Sequence, residues 1–166
     1  MEHSIRIVPM GSEHVMDMAD LEAACFSEAW TAAQLAYELD NPHAVYFCAV
    51  HDGRTVGFAG MHNVLGEGYI TNVAVLEEFR RRGIAYALLQ ELFEYAAGHA
   101  MAFLTLEVRQ SNDGAIRLYE KCGFTRQGIR RRFYQNPSED ALLMTKFFVS
   151  GEGTDCDEDT GDRELL

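Results

Sequence analysis

The sequence lacks several features that mark whole classes of protein. Its 166 residues contain no apolar run of the ~18 residues that a membrane-spanning helix needs. Residues 1–6 carry neither the basic start nor the long apolar stretch of a secretory signal. These absences predict a cytoplasmic protein with no part in a membrane.

Cysteine is scarce and scattered. The four cysteines stand at positions 25, 48, 122 and 156, and no two of them form a Cys-x-x-Cys pair. Their spacing therefore predicts no zinc or other metal site. Cys25, Cys48 and Cys122 lie in apolar segments, where a thiol behaves as a small core side chain. Reduced cysteines agree with a cytoplasmic location.

Basic residues are few, with 14 lysines and arginines against 26 acids and a net charge of −12. This balance excludes sequence-independent DNA binding, which needs a basic surface, and favours a basic partner. Half of the excess charge lies in residues 151–166, which hold seven acids and one arginine. We expect one domain over residues 1–149 and an acidic, disordered tail over 150–166.

Hydrophobic patterning predicts the element order β-α-α-β-β-β-α-β-α-β-β. The predicted strands are 5–8, 44–50, 55–61, 69–75, 103–108, 124–134 and 141–149, and the predicted helices cover about 12–26, 31–40, 83–97 and 111–122. Asp52-Gly53 predicts a tight hairpin. In the second helix Thr31 is expected to cap, and Leu35 and Leu39 to face inward.

Strands 69–75 and 103–108 flank one helix, and such a βαβ unit is parallel and right-handed. The expected fold class is therefore α/β, a single domain with helices on a mixed sheet.

Three arginines and a glycine stand where the strand 69–75 turns into the helix 83–97. A helix N-terminus carries partial positive charge and unpaired N–H groups, so it favours anions. Arg80, Arg81 and Arg82 would repel one another there unless an anion binds among them. A phosphate meets that need, and Gly83 lets it approach the backbone. The alternative is a solvated basic turn.

Three further residues carry possible chemistry. Glu107 is a lone carboxylate in an apolar strand, where burial makes it a better proton acceptor. Alternatively, it points at water or pairs with Arg109. Tyr119 is either a reactive hydroxyl or a core aromatic, and Asn112 is either a ligand contact or a helix cap.

Residues 80–85 resemble the pyrophosphate-binding signature of the GNAT superfamily of N-acetyltransferases, Arg/Gln-x-x-Gly-x-Gly/Ala, with Ala85 in place of the frequent second glycine. Residues 107–112 and 115–124 resemble the second half of the GNAT core. The resemblance also includes Trp30-Thr31, Glu38-Leu39, residues 72–75 and residues 130–134, and it spans about residues 5–148. Within the superfamily, the specific match is to RimI-type enzymes, which acetylate the N-terminal alanine of a small-subunit ribosomal protein.

The resemblance implies a GNAT-like acyl-CoA N-acyltransferase fold, acetyl-CoA as co-substrate, no metal, and a protein N-terminus as acceptor. It implies that Glu107 is the general base and Tyr119 the general acid. The implied donor-binding residues are the backbone groups of Val73, Ala74 and Val75 for the pantetheine arm, the turn Arg80, Arg81, Arg82, Gly83, Ile84 and Ala85 for the pyrophosphate, and Asn112. Arg132 and Phe133 depart from the pattern of RimI-type enzymes, and both lie near the side where the acceptor peptide is expected to bind.

Other functions remain open at this stage. The chain is also compatible with acetylation of lysine or of a small amine, because fold does not fix substrate. A CoA-binding module without turnover is disfavoured by the presence of both Glu107 and Tyr119. Cys122 has no activating histidine nearby in sequence, which disfavours a covalent acyl carrier. The run 130–132 is either a solvated strand edge or a contact for acidic peptide or ribosomal RNA. The oligomeric state is not predicted.

Overall fold

A seven-stranded mixed sheet organises the chain in the computed structural model, which describes residues 4–148. The acidic tail expected over 150–166 lies outside the described residues. The strands are β1 (Arg6–Pro9), β2 (Ala44–His51), β3 (Arg54–Val64), β4 (Glu67–Val75), β5 (Phe103–Arg109), β6 (Thr125–Tyr134) and β7 (Glu139–Phe147). The helices are α1 (Val15–Cys25), α2 (Ala32–Asp40), α3 (Ile84–Gly98) and α4 (Asp113–Lys121). Apart from two 3₁₀ turns, this is the predicted element order.

The strand order is β1-β2-β3-β4-β5-β7-β6. Neighbours are antiparallel except β4 and β5, which are parallel as the βαβ prediction requires. The β2–β3 hairpin turns at Asp52 and Gly53, with φ of 48° and 78°. Positive φ at both central residues matches the right-handed twist of a two-residue hairpin, so the sequence prediction is confirmed.

Helices cover both faces of the sheet. On β3, a Cβ built at Gly57 would lie 3.3 Å from the Ile84 side chain of α3. His62 has the opposite parity on the same strand and bonds Glu38 of α2. Successive residues of a strand point to opposite faces, so α2 and α3 lie on different faces. The apolar side chains between helices and sheet, such as Phe58, Leu88 and Leu104, are fully buried.

Helix α2 follows the prediction at its start and departs from it on its inner face. The Thr31 hydroxyl accepts the Gln34 N–H, and the Gln34 side chain accepts the Thr31 N–H, a reciprocal capping box. Leu35 is fully buried as expected, but Leu39 is 39% exposed, so the prediction for Leu39 is wrong. Glu38, three residues after Leu35, takes the inner position because His62 offers it a hydrogen bond.

No helix within residues 4–148 is both long enough and apolar enough to cross a membrane.

Candidate active site

The site is a cleft where β4 and β5 stop pairing. Their parallel register runs only over Glu67–Tyr69 with Phe103–Thr105. Within the described residues, no strand pairs with that side of β4 beyond Tyr69. The second half of β4, residues 70–75, therefore has a free backbone edge that faces the diverging strand β5.

The peptide groups on this edge are fixed by strand alternation. The N–H of Leu76 donates to the Val56 carbonyl of β3 at 2.9 Å. Since neighbouring residues of a strand direct their peptide groups to opposite sides, Val73 and Val75 direct theirs into the cleft, whereas Ala74 pairs toward β3. The Val75 carbonyl accepts from the Arg80 Nε at 3.0 Å. Among the described residues, the Val73 peptide groups and the Val75 N–H on this edge thus have no strand partner.

The turn from β4 into α3 forms the end of the cleft. Arg81 and Gly83 have φ of 61° and 76°, and Gly83 is the N-cap of α3. A Cβ at Gly83 would meet no atom within 4 Å, so the helix start is open. The first turn of α3 holds no acidic residue. Unpaired N–H groups and helix dipole together make an anion site.

The three arginines of this turn are exposed but are not equivalent. Arg80 is tied back to β4 through its bond to the Val75 carbonyl. Arg82 lies over the Phe79 ring at 5.0 Å. The turn is therefore more ordered than a solvated basic loop, and two of its cations have protein contacts.

Glu107 lies on β5 beside the cleft, with its side chain only 3% exposed. The Tyr69 hydroxyl donates to its Oε2 atom. The Arg130 guanidinium lies 3.1 Å from its Oε1 atom. The alternative pairing with Arg109 is wrong, because the Arg109 side chain contacts other groups. Burial and the bond to Glu107 raise the pKa of Tyr69, so its hydroxyl stays protonated and donates.

Tyr119 lies on the opposite face of the sheet from Glu107. Lys146, the register partner of Leu104 on β5, lies over the Phe93 ring of α3 and donates to the carbonyl of Cys122, just after α4. Helices α3 and α4 thus cover the Leu104 face, and Glu107 has the other parity. Tyr119 is 8% exposed and makes an edge-on contact with Phe124.

Burial and the neighbouring Tyr134 raise the pKa of Tyr119 above its usual range. Tyr119 is therefore protonated at neutral pH.

Asn112 forms the start of α4. Its side-chain oxygen accepts the Ala115 N–H at 3.2 Å, so the helix-cap interpretation holds for that atom. An asparagine side chain also carries an amide nitrogen with two donors.

Arg109 joins two loops on the Glu107 face. Its guanidinium donates to the carbonyls of Gln135 and Pro137, both at 3.0 Å, and to the Ser27 hydroxyl at 3.4 Å. It also lies over the Tyr134 ring at 4.5 Å. The segment between α1 and α2 and the turn between β6 and β7 are therefore held together beside Glu107.

A buried polar network anchors β4, the strand whose open edge borders the cleft. Glu22 of α1 is 1% exposed and accepts from the Asn72 side chain at 2.6 Å and from the Trp30 N–H at 3.2 Å. The Tyr46 hydroxyl reaches both Asn72 and Thr71. Burial raises the pKa of Glu22, and the two donors oppose that rise. The network anchors β4 next to its unpaired edge.

Cys122 is buried, and its burial raises the pKa of its thiol. A buried protonated thiol is a poor nucleophile. In the part of the chain that the structure describes, no group of three or more His, Cys, Asp or Glu side chains is placed to hold a metal ion.

Tyr69 and Arg130 were not among the predicted site residues. Tyr69 follows Gly-Glu-Gly at the start of the predicted strand, which gives no sign of a bond to Glu107. Arg130 lies on β6, which is separated from β5 by β7. The only sequence signal that drew attention to Arg130 is the basic run 130–132.

The mixed sheet with its parallel β4–β5 pair, the unpaired edge of β4 and the open start of α3 together have the geometry of an acetyltransferase fold. Residues 15–124 match the acetyltransferase (GNAT) family, and the chain belongs to this family of acetyltransferases.

Among its relatives, the N-alpha-acetyltransferase RimI of Mycobacterium tuberculosis is 38% identical over 135 residues, covering 77% of this chain and 83% of the relative. The ribosomal protein bS18-alanine N-acetyltransferase of Escherichia coli is 39% identical over 100 residues, covering 59% and 68%. The crystal structure of the Escherichia coli ribosomal-protein-S18-alanine N-acetyltransferase superimposes with a TM-score of 0.82 at 29% identity, covering 91% of this chain and 99% of that one.

Proposed function

We propose that this protein transfers acetyl from acetyl-CoA to the N-terminal α-amine of a protein, with alanine as first residue and a small-subunit ribosomal protein as target. The observation that carries the proposal is Glu107, a carboxylate whose side chain is 3% exposed beside the open edge of β4. The name of the Mycobacterium tuberculosis relative supports acetylation of an α-amine, and that of the Escherichia coli relative supports alanine on a ribosomal protein. A cytoplasmic location follows from that target.

The donor would occupy the cleft with its phosphates at the turn 80–85. The backbone N–H groups at the start of α3 and the exposed Arg81 would bind the pyrophosphate. The Val73 peptide groups and the Val75 N–H would pair with the amides of the pantetheine arm. The amide nitrogen of the Asn112 side chain would contact the donor. This places the thioester between Glu107 and Tyr119, which lie on opposite faces of the sheet.

Glu107 would act as general base, directly or through one water. An N-terminal ammonium has a pKa of about 8 and a lysine ammonium about 10.4, so the α-amine loses its proton more easily near neutral pH. The Tyr69 hydroxyl and Arg130 guanidinium hold the two carboxylate oxygens in place. Once neutral, the amine attacks the thioester carbonyl.

Tyr119 would supply the proton that the departing CoA thiolate needs. The new N–C bond forms, the C–S bond breaks, and the thiolate takes the phenolic proton. The second proton, which the acylated nitrogen loses, restores the Tyr119 hydroxyl. Because its pKa is raised, Tyr119 holds that proton at neutral pH. No covalent acyl-enzyme is required, since both substrates are bound together and the reaction gains from proximity.

The test uses a peptide with a free N-terminal alanine and one internal lysine, incubated with acetyl-CoA and analysed by mass spectrometry. We expect acetyl on the α-amine and a loss of about 100-fold or more in rate for Glu107→Gln, the range of general-base catalysis.

Two other outcomes would contradict the proposal. Acetyl on the lysine would move the protein to lysine or small-amine acetylation. No acetyl on either amine, with acetyl-CoA bound, would indicate a small-molecule acetyltransferase or a binding module without turnover.

A further inference from the structure

A pocket of about 450 Å³ lies beside α2 on the face of the sheet that carries Glu107. It is lined by Trp30, Ala33, Gln34, Tyr37 and Glu38. Ala33, Gln34, Tyr37 and Glu38 recur every three to four residues on one side of α2, and Trp30 lies just before the helix begins. The lining combines two aromatic rings with one carboxylate. Trp30 and Glu38 belong to the sequence motif that the catalytic residues leave unexplained.

Glu38 lines the pocket, and one of its two carboxylate oxygens is engaged in hydrogen bonds. Its side chain is 7% exposed, and its Oε2 atom accepts from His62 at 2.8 Å and Asn41 at 3.2 Å. Across residues 4–148, no group donates to the Oε1 atom, and this atom is not sealed from solvent. A carboxylate oxygen held in this way is an acceptor prepared for an incoming donor.

The pocket lies within one short peptide length of Glu107. Glu38 bonds His62, His62 is the cross-strand partner of Tyr69, and Tyr69 bonds Glu107. Two strand spacings of about 4.8 Å and two residues along β5 put the Cα atoms of His62 and Glu107 about 12 Å apart, and the two carboxylates lie on the same face above these positions. An extended peptide covers about 3.4 Å per residue. With its amine at Glu107, a peptide would reach the pocket with its third to fifth residue.

We propose that this pocket binds a cationic side chain, arginine or lysine, at the third to fifth position of the acceptor protein. The inference rests on the proposed function for the direction of the peptide. A cation over the faces of Trp30 and Tyr37 is attracted by the ring quadrupoles. Its N–H groups would donate to the free oxygen of Glu38 in a charge-assisted bond. The excess of 26 acids over 14 bases also favours a basic acceptor segment.

The binding test uses the fluorescence of Trp30, the only tryptophan in the sequence. Peptides free of tryptophan and starting with alanine would carry arginine at position three, four or five, each paired with a peptide that has citrulline there. Citrulline keeps the shape and removes the charge. With CoA bound, we expect the best arginine peptide to have a Kd about tenfold lower than its citrulline partner.

Three variants make the test specific. Glu38→Gln should abolish the preference for arginine while leaving the citrulline affinity unchanged. Asp40→Asn removes an exposed acid at the end of the same helix that does not line the pocket, and should keep the preference. Tyr37→Ala removes a side chain that is 68% exposed, so the fold is preserved, and should weaken the arginine peptide.

Equal affinity for arginine and citrulline, a preference that survives Glu38→Gln, or tighter binding of a norleucine peptide would overturn the proposal. The result is separable from the proposed function, because binding is measured without turnover. A Glu38-dependent preference together with no acetylation of the α-amine would remove the proposed function and keep the cation pocket.

Discussion

At the scale of single residues, the proposed mechanism depends on one carboxylate and one phenol. On one face of the sheet, Glu107 accepts a hydrogen bond from the Tyr69 hydroxyl and forms an ion pair with Arg130. Tyr119 keeps its proton on the other face, because burial raises the pKa of its hydroxyl. The side chains that we propose as base and acid thus lie on opposite faces of the sheet.

Tyr119→Phe should lower kcat by about 100-fold or more, since the thiolate would then leave without a general acid. The Kd for acetyl-CoA should stay within about twofold, because the hydroxyl acts mainly in the transition state. Steady-state kinetics and a direct acetyl-CoA titration check both numbers.

Tyr95→Phe is the matched control for Tyr119→Phe, because Tyr95 stacks on His99 at the end of α3, away from the cleft. It should leave kcat unchanged. An unchanged kcat in Tyr119→Phe would remove Tyr119 from the acid role.

The sequence singles out Glu107 and Tyr119 as candidate site residues, but it does not predict the partners of Glu107. A lone carboxylate in an apolar strand and a long family-like motif are local signals. The bonds of Glu107 to Tyr69 and Arg130 span 38 and 23 residues of sequence, and they depend on strand register. That register includes a bulge between Gly60 and Met61, which no sequence pattern predicted.

At the scale of elements, the turn between β4 and α3 is the proposed site for the donor phosphates, and its shape depends on an unusual backbone conformation. Gly83 has a φ of 76°, a region that costs a residue with a Cβ about 1 kcal/mol or more. The glycine also keeps the helix start open.

Gly83→Ala should raise the KM for acetyl-CoA several-fold and lower the stability by about 1 kcal/mol, while the KM for the peptide changes little. Gly98→Ala, at the other end of the same helix and also without atoms within 4 Å of the new Cβ, is the control. It should leave the KM unchanged and stabilise slightly, because alanine favours the helix. Equal effects of the two substitutions on the acetyl-CoA KM would argue against a donor site at this turn.

The predicted elements agree with the structure because each has a strong local signal. Hairpin residues, capping residues and apolar periodicity gave the order of eleven elements and the parallel pairing of β4 with β5. The prediction that Leu39 faces inward is wrong, because the apolar pattern of α2 does not show that Glu38 has a hydrogen-bonding partner on the sheet. That partner is His62 on β3, and its bond holds Glu38 on the inner side of the helix.

At the scale of the whole molecule, hydrogen bonds between residues distant in sequence link the loops beside Glu107 to the stability of the fold. Glu139 accepts from the Ser111 N–H and hydroxyl and from Arg109, which in turn holds the loops beside Glu107. These bonds, the Ser111 N–H first, lower the pKa of Glu139 below its ordinary value of 4.5.

A lowered pKa in the folded state means that the unfolded chain binds more protons in acid. The contribution of Glu139 is therefore full above its ordinary pKa and is lost as the pH falls from about 5 through the lowered value. Glu139→Gln should flatten the pH dependence of the urea midpoint in this window and lower the midpoint at pH 7. Glu120→Gln, an exposed acid paired with Arg126 at the surface, is the comparison and should change the profile less. Identical profiles for Glu139→Gln and the wild type would contradict this.

The order of the strands also affects whether copies of the protein associate through their sheet edges. Strand β6 is an outer strand, and its backbone edge offers unpaired groups to any passing chain. Exposed arginines stand along it at 130, 131 and 132, and the strand is bent where Arg132 takes a φ of 53°. Like charges and a bend both oppose the addition of an identical strand. The arginine that holds Glu107 thus belongs to a sheet edge that resists aggregation.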